Sequence, residues 1–400
     1  SKFPKGFLAN FSLDVVGNKK EVMKTCRLLL IVLTLLITSC ITEKEIDFNS
    51  FGTQSISNET QKGESLKEMM DYYKVPGISI AVVNDGKLIW AKGYGVANTT
   101  NGTKVNPETL FQAGSISKPI AALSALKLVE QGKVDLDEDV NMYLKGWKIP
   151  ECEFTKEEKV TLRRLLTHTA GITVHGFAGY NQDDDFPSIT SVLKGKGNSG
   201  KVCVDMVPGS EWRYSGGGYT IMEKLVEDVS GMPLEEYMAI NILQPVGMNN
   251  STYNQPLSSD LISSASAAYN KSGKIIHGLY HNYPEQAAAG LWTTPTDLAK
   301  YCMEIQNIMS GKSNGFLSEE IVQLMLTKYD NNWGLGPALS EDGDSLKFGH
   351  GGKNAGFTNI FISSVYQHNA IIIMTNGDNG GELIPKIRKS ISDYYKMGFN

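Results

Sequence analysis

Apolar runs typical of β-strands stand near both ends of the folded part of the chain. Residues 77–83 (GISIAVV) and 87–95 (KLIWAKGYG) are two such runs, and residues 84–86 (Asn-Asp-Gly) lie between them. An Asp-Gly pair between two strand-like runs strongly indicates a tight hairpin. Residues 357–364 and 369–376 predict a second strand pair near the other end. The pattern therefore predicts one antiparallel sheet assembled from both chain ends.

Apolar residues at helical spacing dominate the sequence between these strands. They predict helices over residues 118–131, 161–167, 220–230, 233–242, 295–309 and 318–326, and amphipathic helices over 61–74 and about 382–396. Residues 173–200, rich in Gly, Asp and Ser, are expected to form a loop beside the functional site. We therefore expect an α/β (α+β) fold over residues 61–396. Its sheet would come from about 61–108 and 285–396, with a mainly helical region, about 109–284, inserted.

The first forty residues carry the pattern of an export signal. Lys24 and Arg27 precede a nearly continuous apolar run over residues 28–37. About ten apolar residues are too few to cross roughly 30 Å of hydrocarbon, so we expect a signal peptide over residues 1–39 rather than an anchor helix. Within it, the residues before Met23 would be upstream sequence.

A cysteine follows this signal. Residues 36–40 read Leu-Ile-Thr-Ser-Cys, which resembles the bacterial lipobox, where cleavage leaves the cysteine as a lipid-modified N-terminus. We therefore expect Cys40 to anchor an exported protein in the bacterial cell envelope, on the periplasmic or outer-membrane side, through a polar tether over residues 40–60. An ordinary secretory signal with an incidental cysteine is the alternative.

Composition and charge restrict the function classes. The 400 residues are 41% apolar and 20% charged, which is enough apolar sequence for a sizeable core. The net charge is −5, and removal of residues 1–39 takes away six cations and two anions, so the remaining chain carries −9. Nucleic-acid binders usually present a basic face, so we expect no nucleic-acid partner and membrane contact only through the N-terminal lipid. Composition does not indicate an oligomeric state.

Ser115 and Lys118 are the first candidates for chemistry. They are three residues apart at the start of an apolar helical run, so their side chains are expected on one face of its first turn. A serine is a poor nucleophile unless a base takes its proton, and a buried lysine can be that base because burial lowers its pKa. A helix-capping serine beside a solvated lysine is the alternative. A second Ser-x-x-Lys, at residues 191–194, falls in the predicted loop and is interpreted as chance.

Two further runs favour the catalytic interpretation. Residues 208–221 (PGSEWRYSGGGYTI) place Tyr214 in a glycine-rich turn before a helix. Residues 348–357 (FGHGGKNAGF) place His350 and two glycines before an apolar strand. Taken alone, Tyr214 would be a core aromatic and His350 a turn or capping residue. Because both follow the Ser-x-x-Lys motif in this order, we interpret the three motifs together as parts of one catalytic site.

The ordered motifs resemble the class C β-lactamase and penicillin-binding-protein superfamily of serine hydrolases. Residues 165–172 (LLTHTAGI) and 287–301 (AAAGLWTTPTDLAKY) add to the resemblance, which spans nearly all of residues 61–396. It implies a β-lactamase/transpeptidase-like fold. His168, in the first of these two runs, is expected to be structural and to satisfy backbone groups near a helix end.

The resemblance also implies a role for each candidate residue. Ser115 would be the acylated nucleophile, Lys118 its proton partner, and Tyr214 the general base or a proton shuttle. The Lys353 N–H would pair with that of Ser115 as the oxyanion hole. Substrate would lie along an edge strand that contains His350, Gly351, Gly352 and Lys353. No metal and no organic cofactor is implied.

The chain departs from the family pattern at two positions. The usual Tyr-x-Asn is Tyr214-Ser215-Gly216 here, and His350 replaces the lysine that often begins the third motif. An asparagine that holds a substrate amide and a cation that pairs with a substrate carboxylate are therefore missing. We expect a serine hydrolase of small ester, amide or peptide substrates. A true β-lactamase or D-Ala-D-Ala carboxypeptidase is one alternative, and a non-catalytic lipoprotein that binds cell-wall peptides is another.

Overall fold

The computed structural model describes residues 65–313 and 315–399. Cys40, the expected signal peptide and the expected tether lie outside these described residues. Within the described part of the chain, no helix combines the length and the apolar character needed to cross a membrane.

The described residues form nine β-strands. In chain order these are β1 (Gly77–Asn84), β2 (Lys87–Asn98), β3 (Thr103–Lys104), β4 (Phe111–Gln112), β5 (Trp292–Thr293), β6 (Ala338–Ser340), β7 (Lys347–Asn354), β8 (Phe357–Ser364) and β9 (Ala370–Thr375). Seven of them form an antiparallel sheet in the order β3-β2-β1-β9-β8-β7-β6, and β4 pairs with β5 separately. Because β1 pairs with β9, the expectation of a sheet assembled from both chain ends is confirmed.

The Asp-Gly hairpin forms as the sequence predicts. Asp85 (φ 51°) and Gly86 (φ 71°) both adopt the left-handed conformation that matches the twist of two-residue hairpins. Asn84 pairs with Lys87 directly beside the turn. The second strand continues to Asn98, beyond the predicted end at residue 95.

The described residues also form ten α-helices. In chain order these are α1 (Leu66–Tyr73), α2 (Ser117–Glu130), α3 (Leu162–Leu166), α4 (Ile189–Leu193), α5 (Gly216–Ser230), α6 (Leu234–Met238), α7 (Gln244–Val246), α8 (Pro295–Met309), α9 (Glu319–Met325) and α10 (Gly380–Tyr395). A π-helical turn (Ala239–Leu243) joins α6 to α7, so the helix predicted over 233–242 continues to Val246.

α5 and α4 also differ from the sequence-based expectation. α5 begins at Gly216 rather than Thr220, because the Ser215 hydroxyl accepts a hydrogen bond from Gly218 N–H and caps a run of three glycines. Glycines have low helix propensity, so the apolar pattern alone placed the start too late. α4 lies inside the segment predicted as a loop, and the Ser188 hydroxyl caps it. The loop prediction for residues 173–200 is therefore wrong over this helix.

The sheet has a helical layer and an apolar core on each face. Ile78, Ile80 and Val82 of β1 pack in a core with α1 and α10. Ala81 and Val83 point the opposite way, into the larger core shared with the helical region. α2 lies within that larger core and is buried around almost its whole circumference.

β7 contacts the turn that precedes α2 through two glycines. A Cβ on Gly352 would lie 1.8 Å from the Ala113 carbonyl oxygen, and a Cβ on Gly114 would lie 2.5 Å from the Lys353 nitrogen. A larger residue at either position would push the strand and the turn apart. The lack of side chains at these two positions therefore sets the distance between the sheet and α2.

We predict that Gly352→Ala lowers the free energy of unfolding by about 1–3 kcal/mol, because overpacking forces β7 away from Ala113. Gly351→Ala is the matched control, since the nearest contact of its Cβ would be Asn359 O at 3.9 Å. It should change the free energy of unfolding by less than about 0.5 kcal/mol. Urea unfolding measures both values. Equal losses in the two variants would contradict the close contact at Gly352.

Candidate active site

Ser115 lies in a 3₁₀ turn (Gly114–Ile116) that leads directly into α2. Ser117 holds this turn: its hydroxyl donates to Gly114 O at 2.6 Å and accepts from Leu291 N–H at 3.0 Å. Gly114 takes a φ of 58°, a left-handed conformation that favours glycine. The turn therefore presents the half-buried Ser115 at the positive end of α2, where negative charge on its oxygen is favoured.

Lys118 lies in the first turn of α2 and has only 2% of its surface exposed. Its Nζ donates to Ser115 Oγ at 3.1 Å and to Ala288 O at 2.8 Å. Burial lowers the pKa of Lys118 from 10.5 to about 7, because the charged amine has lost its water. A substantial fraction of the amine is therefore neutral near pH 7, with a lone pair that can accept a proton.

The carbonyl that holds Lys118 belongs to a π-helical turn (Gln286–Gly290). Glu223 on α5 supports this turn by accepting a hydrogen bond from Ala287 N–H at 2.8 Å. Burial raises the pKa of Glu223 well above its usual value, which favours the neutral acid over a negative charge near the amine. The Ala288 contact could not be predicted from the sequence, because a backbone carbonyl leaves no signature there.

Tyr214 reaches the pair from the segment before α5. Lys118 Nζ lies 5.0 Å from the centre of its ring. Burial raises the pKa of Tyr214, and an interaction with Ser115 offsets only part of the rise. The hydroxyl is buried and makes no hydrogen bond of normal geometry to the described residues. Tyr214 is therefore a neutral phenol beside Ser115 and Lys118, not a phenolate.

His350 lies on β7, and its buried side chain is on the side of Ser115, Lys118 and Tyr214. Its Nδ1 donates to Gly351 O, which leaves Nε2 as a buried acceptor without a partner among the described residues. Burial, followed by the charge of Lys118, lowers the pKa of His350 to about 3. The ring is therefore neutral near pH 7, and His350 supplies no cation to the site.

Lys353 lies on the same strand, three residues further along. Asn354 pairs with Phe357 across a two-residue turn, so alternate N–H groups of β7 point away from β8. The Lys353 N–H is one of these, and its nitrogen lies against Gly114. Its side chain is exposed, and strand alternation places it on the opposite face from His350. Lys353 thus offers a backbone donor near Ser115 rather than a buried cation.

An open cleft of about 540 Å³ lies in front of Ser115. Lys118 is buried beside it, in contact with Ser115. The structure therefore brings all seven sequence-predicted site residues together, because the cleft is lined by Ser115, Tyr214, His350, Gly351, Gly352 and Lys353, next to His175 and Trp212.

Trp333 also belongs to this site, although the sequence did not predict it. Its ring centre lies 5.4 Å from that of His350 and 5.8 Å from that of Tyr214. It follows Asn331 and Asn332, which both take positive φ angles of 50° and 56°. An aromatic residue after an Asn-Asn turn was the only signal in the sequence, and no motif connects it to Ser115.

The remaining candidates are not arranged for this chemistry. Ser191 lies on α4 and Lys194 follows that helix, but Lys194 is exposed and lacks the burial on which activation of a lysine depends. Among the residues that the structure describes, no group of three or more His, Cys, Asp or Glu is placed to hold a metal ion.

Comparison with known proteins identifies the family. The family model named Beta-lactamase matches residues 64–394. The chain belongs to the β-lactamase family. Members of this family are generally serine hydrolases, which agrees with a serine and a buried lysine in contact.

Named relatives within the family are distant. The chain is 23% identical over 322 residues to Protein flp of Staphylococcus aureus (strain N315), a match that covers 78% of this chain and 61% of that protein. It is 29% identical over 222 residues to the putative penicillin-binding protein PbpX of Bacillus subtilis (strain 168), over 50% of this chain and 52% of PbpX. The chain thus spans about half to three fifths of the length of the curated relatives it matches.

A solved structure shares the fold. The octameric penicillin-binding protein homologue from Pyrococcus abyssi matches with a TM-score of 0.66 and 27% identity, over 78% of this chain and 72% of that one. A large antiparallel sheet flanked by helices is common to both. The fold class expected from the sequence and the resemblance to the β-lactamase and penicillin-binding-protein superfamily are therefore confirmed.

We predict that burial of Lys118 makes stability depend on pH. Between pH 7 and about 9 the unfolded lysine stays protonated while the folded one, with a pKa of about 7, loses its proton. The unfolded state then binds more protons, so the free energy of unfolding should rise with pH, by up to about 1.4 kcal/mol per pH unit. Lys118→Met should lack this rise.

Urea unfolding at several pH values, on wild type and Lys118→Met, measures the difference. Lys133→Met, at an exposed position, is the control and should keep the wild-type pH dependence. Parallel curves for wild type and Lys118→Met over this range would mean that the amine keeps an ordinary pKa.

Proposed function

We propose that the protein is a serine hydrolase that cleaves an ester or amide through an acyl intermediate on Ser115. The observation that carries the proposal is the 3.1 Å contact between Ser115 Oγ and the Lys118 amine, whose pKa is about 7. An amine that is partly neutral and in contact with the hydroxyl can take its proton as the oxygen attacks.

The proposed reaction has two acyl-transfer steps. In the first, Ser115 Oγ bonds to the substrate carbonyl carbon while its proton passes to Lys118 Nζ. The N–H groups of Ser115 and Lys353 stabilise the oxyanion. The proton then moves through the Tyr214 hydroxyl to the leaving oxygen or nitrogen, whose bond to the carbonyl carbon breaks. In the second step a water molecule attacks the acyl carbon, and its proton follows the same route through Lys118 and Tyr214 to Ser115 Oγ. The bond between Ser115 Oγ and the acyl carbon breaks, which releases the acid and restores the Ser115 hydroxyl.

We assign the base role to Lys118 rather than Tyr214. Burial lowers the pKa of Lys118 to about 7 and raises that of Tyr214, so the neutral amine is available near pH 7 and the phenolate is not. A neutral phenol can still accept a proton on a lone pair while it donates its own. That property suits a relay between the amine and the leaving group.

A small neutral ester or amide fits this site better than a substrate that carries a carboxylate. His350 is neutral, and the exposed Lys353 side chain leaves the opposite face of the strand. Trp212 and Trp333, with ring centres 5.5 Å apart, add an aromatic wall near Tyr214. The names of the relative PbpX and of the P. abyssi homologue keep penicillins as the competing substrate class.

Intact-protein mass spectrometry after exposure to a fluorophosphonate tests the nucleophile. Wild type should gain one adduct and Ser115→Ala none, because Ser115 is in contact with the buried amine. Ser191→Ala, in the second Ser-x-x-Lys, is the matched control and should label like wild type. An adduct that persists in Ser115→Ala would contradict the assignment. Unlabelled wild type that still binds cell-wall peptide would favour the non-catalytic alternative.

The rate of this labelling reports on the base. Because the neutral amine is the active form, the rate should fall about tenfold per pH unit below the Lys118 pKa of about 7 and level off above it. A rate that still rises at about pH 10 would assign the base role to Tyr214. In the same series, turnover of a fluorescent penicillin instead of a p-nitrophenyl ester would replace the esterase assignment by a β-lactamase or carboxypeptidase.

We further propose that the protein is exported and tethered through a lipid on Cys40. The support is the short apolar run followed by Leu-Ile-Thr-Ser-Cys at residues 36–40. Cys40→Ala should move the protein out of the membrane fraction of its native cell, because the lipid would be lost. Cys26→Ala, within the signal, is the control and should stay membrane-bound. Membrane retention of Cys40→Ala would count against the lipid.

A further inference from the structure

His168 occupies a backbone conformation that a histidine rarely adopts. It follows the C-terminal end of α3 with a φ of 61°, and the next residue closes the helix end with a hydrogen bond from Thr169 N–H to Arg164 O at 2.9 Å. Glycine, or less often asparagine, is usual at this position, because a Cβ is strained in the left-handed region. A residue in a sparsely populated conformation persists only where its surroundings hold it there, and the contacts of the His168 imidazole do so.

Two hydrogen bonds join His168 to both neighbours of Tyr214. The His168 carbonyl oxygen accepts from Arg213 N–H at 2.8 Å. The imidazole Nδ1 accepts from Ser215 N–H at 3.1 Å. Acceptance at Nδ1 requires a neutral ring with its proton on Nε2. Burial lowers the pKa of His168 well below its usual value, so this neutral form is retained.

The imidazole also packs on the Tyr214 ring. The two ring centres are 4.2 Å apart and the rings are inclined by 34°, which makes His168 the nearest of the aromatic neighbours of Tyr214 among the described residues. His168 has 2% of its surface exposed, so it has little freedom to move. Lys118 Nζ lies 5.0 Å from the same tyrosine ring. The fixed imidazole and the amine are therefore both close neighbours of the Tyr214 ring.

We propose that His168 is a positioning residue that holds Tyr214 over Lys118 and Ser115. It fixes the backbone on both sides of the tyrosine and supports its ring, and it touches neither the Ser115 hydroxyl nor the acyl group. This inference rests on the proposed function, since it concerns the geometry of the proton relay. It goes beyond a helix-end role, because a helix end needs the His168 backbone and the relay needs the ring.

Substitutions that suit the left-handed backbone separate the ring from the fold. His168→Gly relieves the strain and removes the Nδ1 acceptor and the ring. His168→Asn tolerates the same conformation and keeps a side-chain oxygen that can accept from Ser215 N–H. His368, which also has a positive φ (54°) and lies in the turn between β8 and β9, gives the matched controls His368→Gly and His368→Asn.

The first readout is turnover of a p-nitrophenyl ester. His168→Gly should lower kcat by about 10- to 100-fold with little change in KM, because misplacing a catalytic group by about 1 Å costs up to about 100-fold. His168→Asn should recover part of this loss, and both His368 variants should match wild type. In a Tyr214→Phe background, His168→Gly should cause almost no further loss, because the group that it positions is already gone.

The second readout does not depend on activity. Amide hydrogen exchange at Ser215 should be about tenfold faster in His168→Gly, which loses one hydrogen bond, and close to wild type in His168→Asn. Unchanged exchange at Ser215, or a full multiplicative loss of kcat in the Tyr214→Phe background, would overturn the proposal. If His168→Gly does not fold, His168→Asn alone decides. A rise in KM with kcat unchanged in that variant would overturn the proposal.

The outcomes also separate this inference from the proposed function. Wild type that neither hydrolyses esters nor takes a fluorophosphonate would overturn the proposed function and the inference with it. Active wild type in which His168→Gly behaves like His368→Gly would overturn the inference alone.

Discussion

The site depends on one amine that is kept out of water. The first turn of α2 carries Lys118 into the core, and burial brings its pKa to about 7. The groups around the amine leave that effect in place: a carbonyl at Ala288, the rings of Tyr214 and Tyr219 at 5.0 and 5.7 Å, and the neutral imidazole of His350. A carboxylate at any of these positions would raise the pKa of the lysine again, and the amine would no longer accept a proton near neutrality.

The groups around this amine come from distant parts of the chain. Ser115 and Lys118 stand at the start of α2, Tyr214 precedes α5, and His350 lies on β7. The strand belongs to a sheet in which β1 and β9, from opposite ends of the sequence, pair with each other. The helical region supplies the proton-transfer groups and the sheet supplies the edge along which a substrate can lie. Neither part contains a complete site by itself.

Parts of the fold and of the site could be predicted from the sequence because the residues that form them are close together in the chain. The Asp-Gly hairpin, and the contact between Ser115 and Lys118, involve residues that are close in the chain. Tyr214 and His350 are remote from them, so only the resemblance to a known family placed them together. Trp333 and the Ala288 carbonyl are set by long-range packing, without a motif. The start of α5 was predicted too late because a serine cap outweighs the low helix propensity of three glycines.

The contact between β7 and the turn before α2 has a consequence for how such a protein can change. Gly352 and Ala113 approach each other through main-chain atoms, so no side chain separates the strand from the turn that carries the nucleophile. His350 lies two residues before Gly352 on β7, so its side chain is not part of this main-chain contact. A substitution at position 350 could therefore change which substrate groups the cleft binds, while the main-chain contact that places Ser115 stays the same.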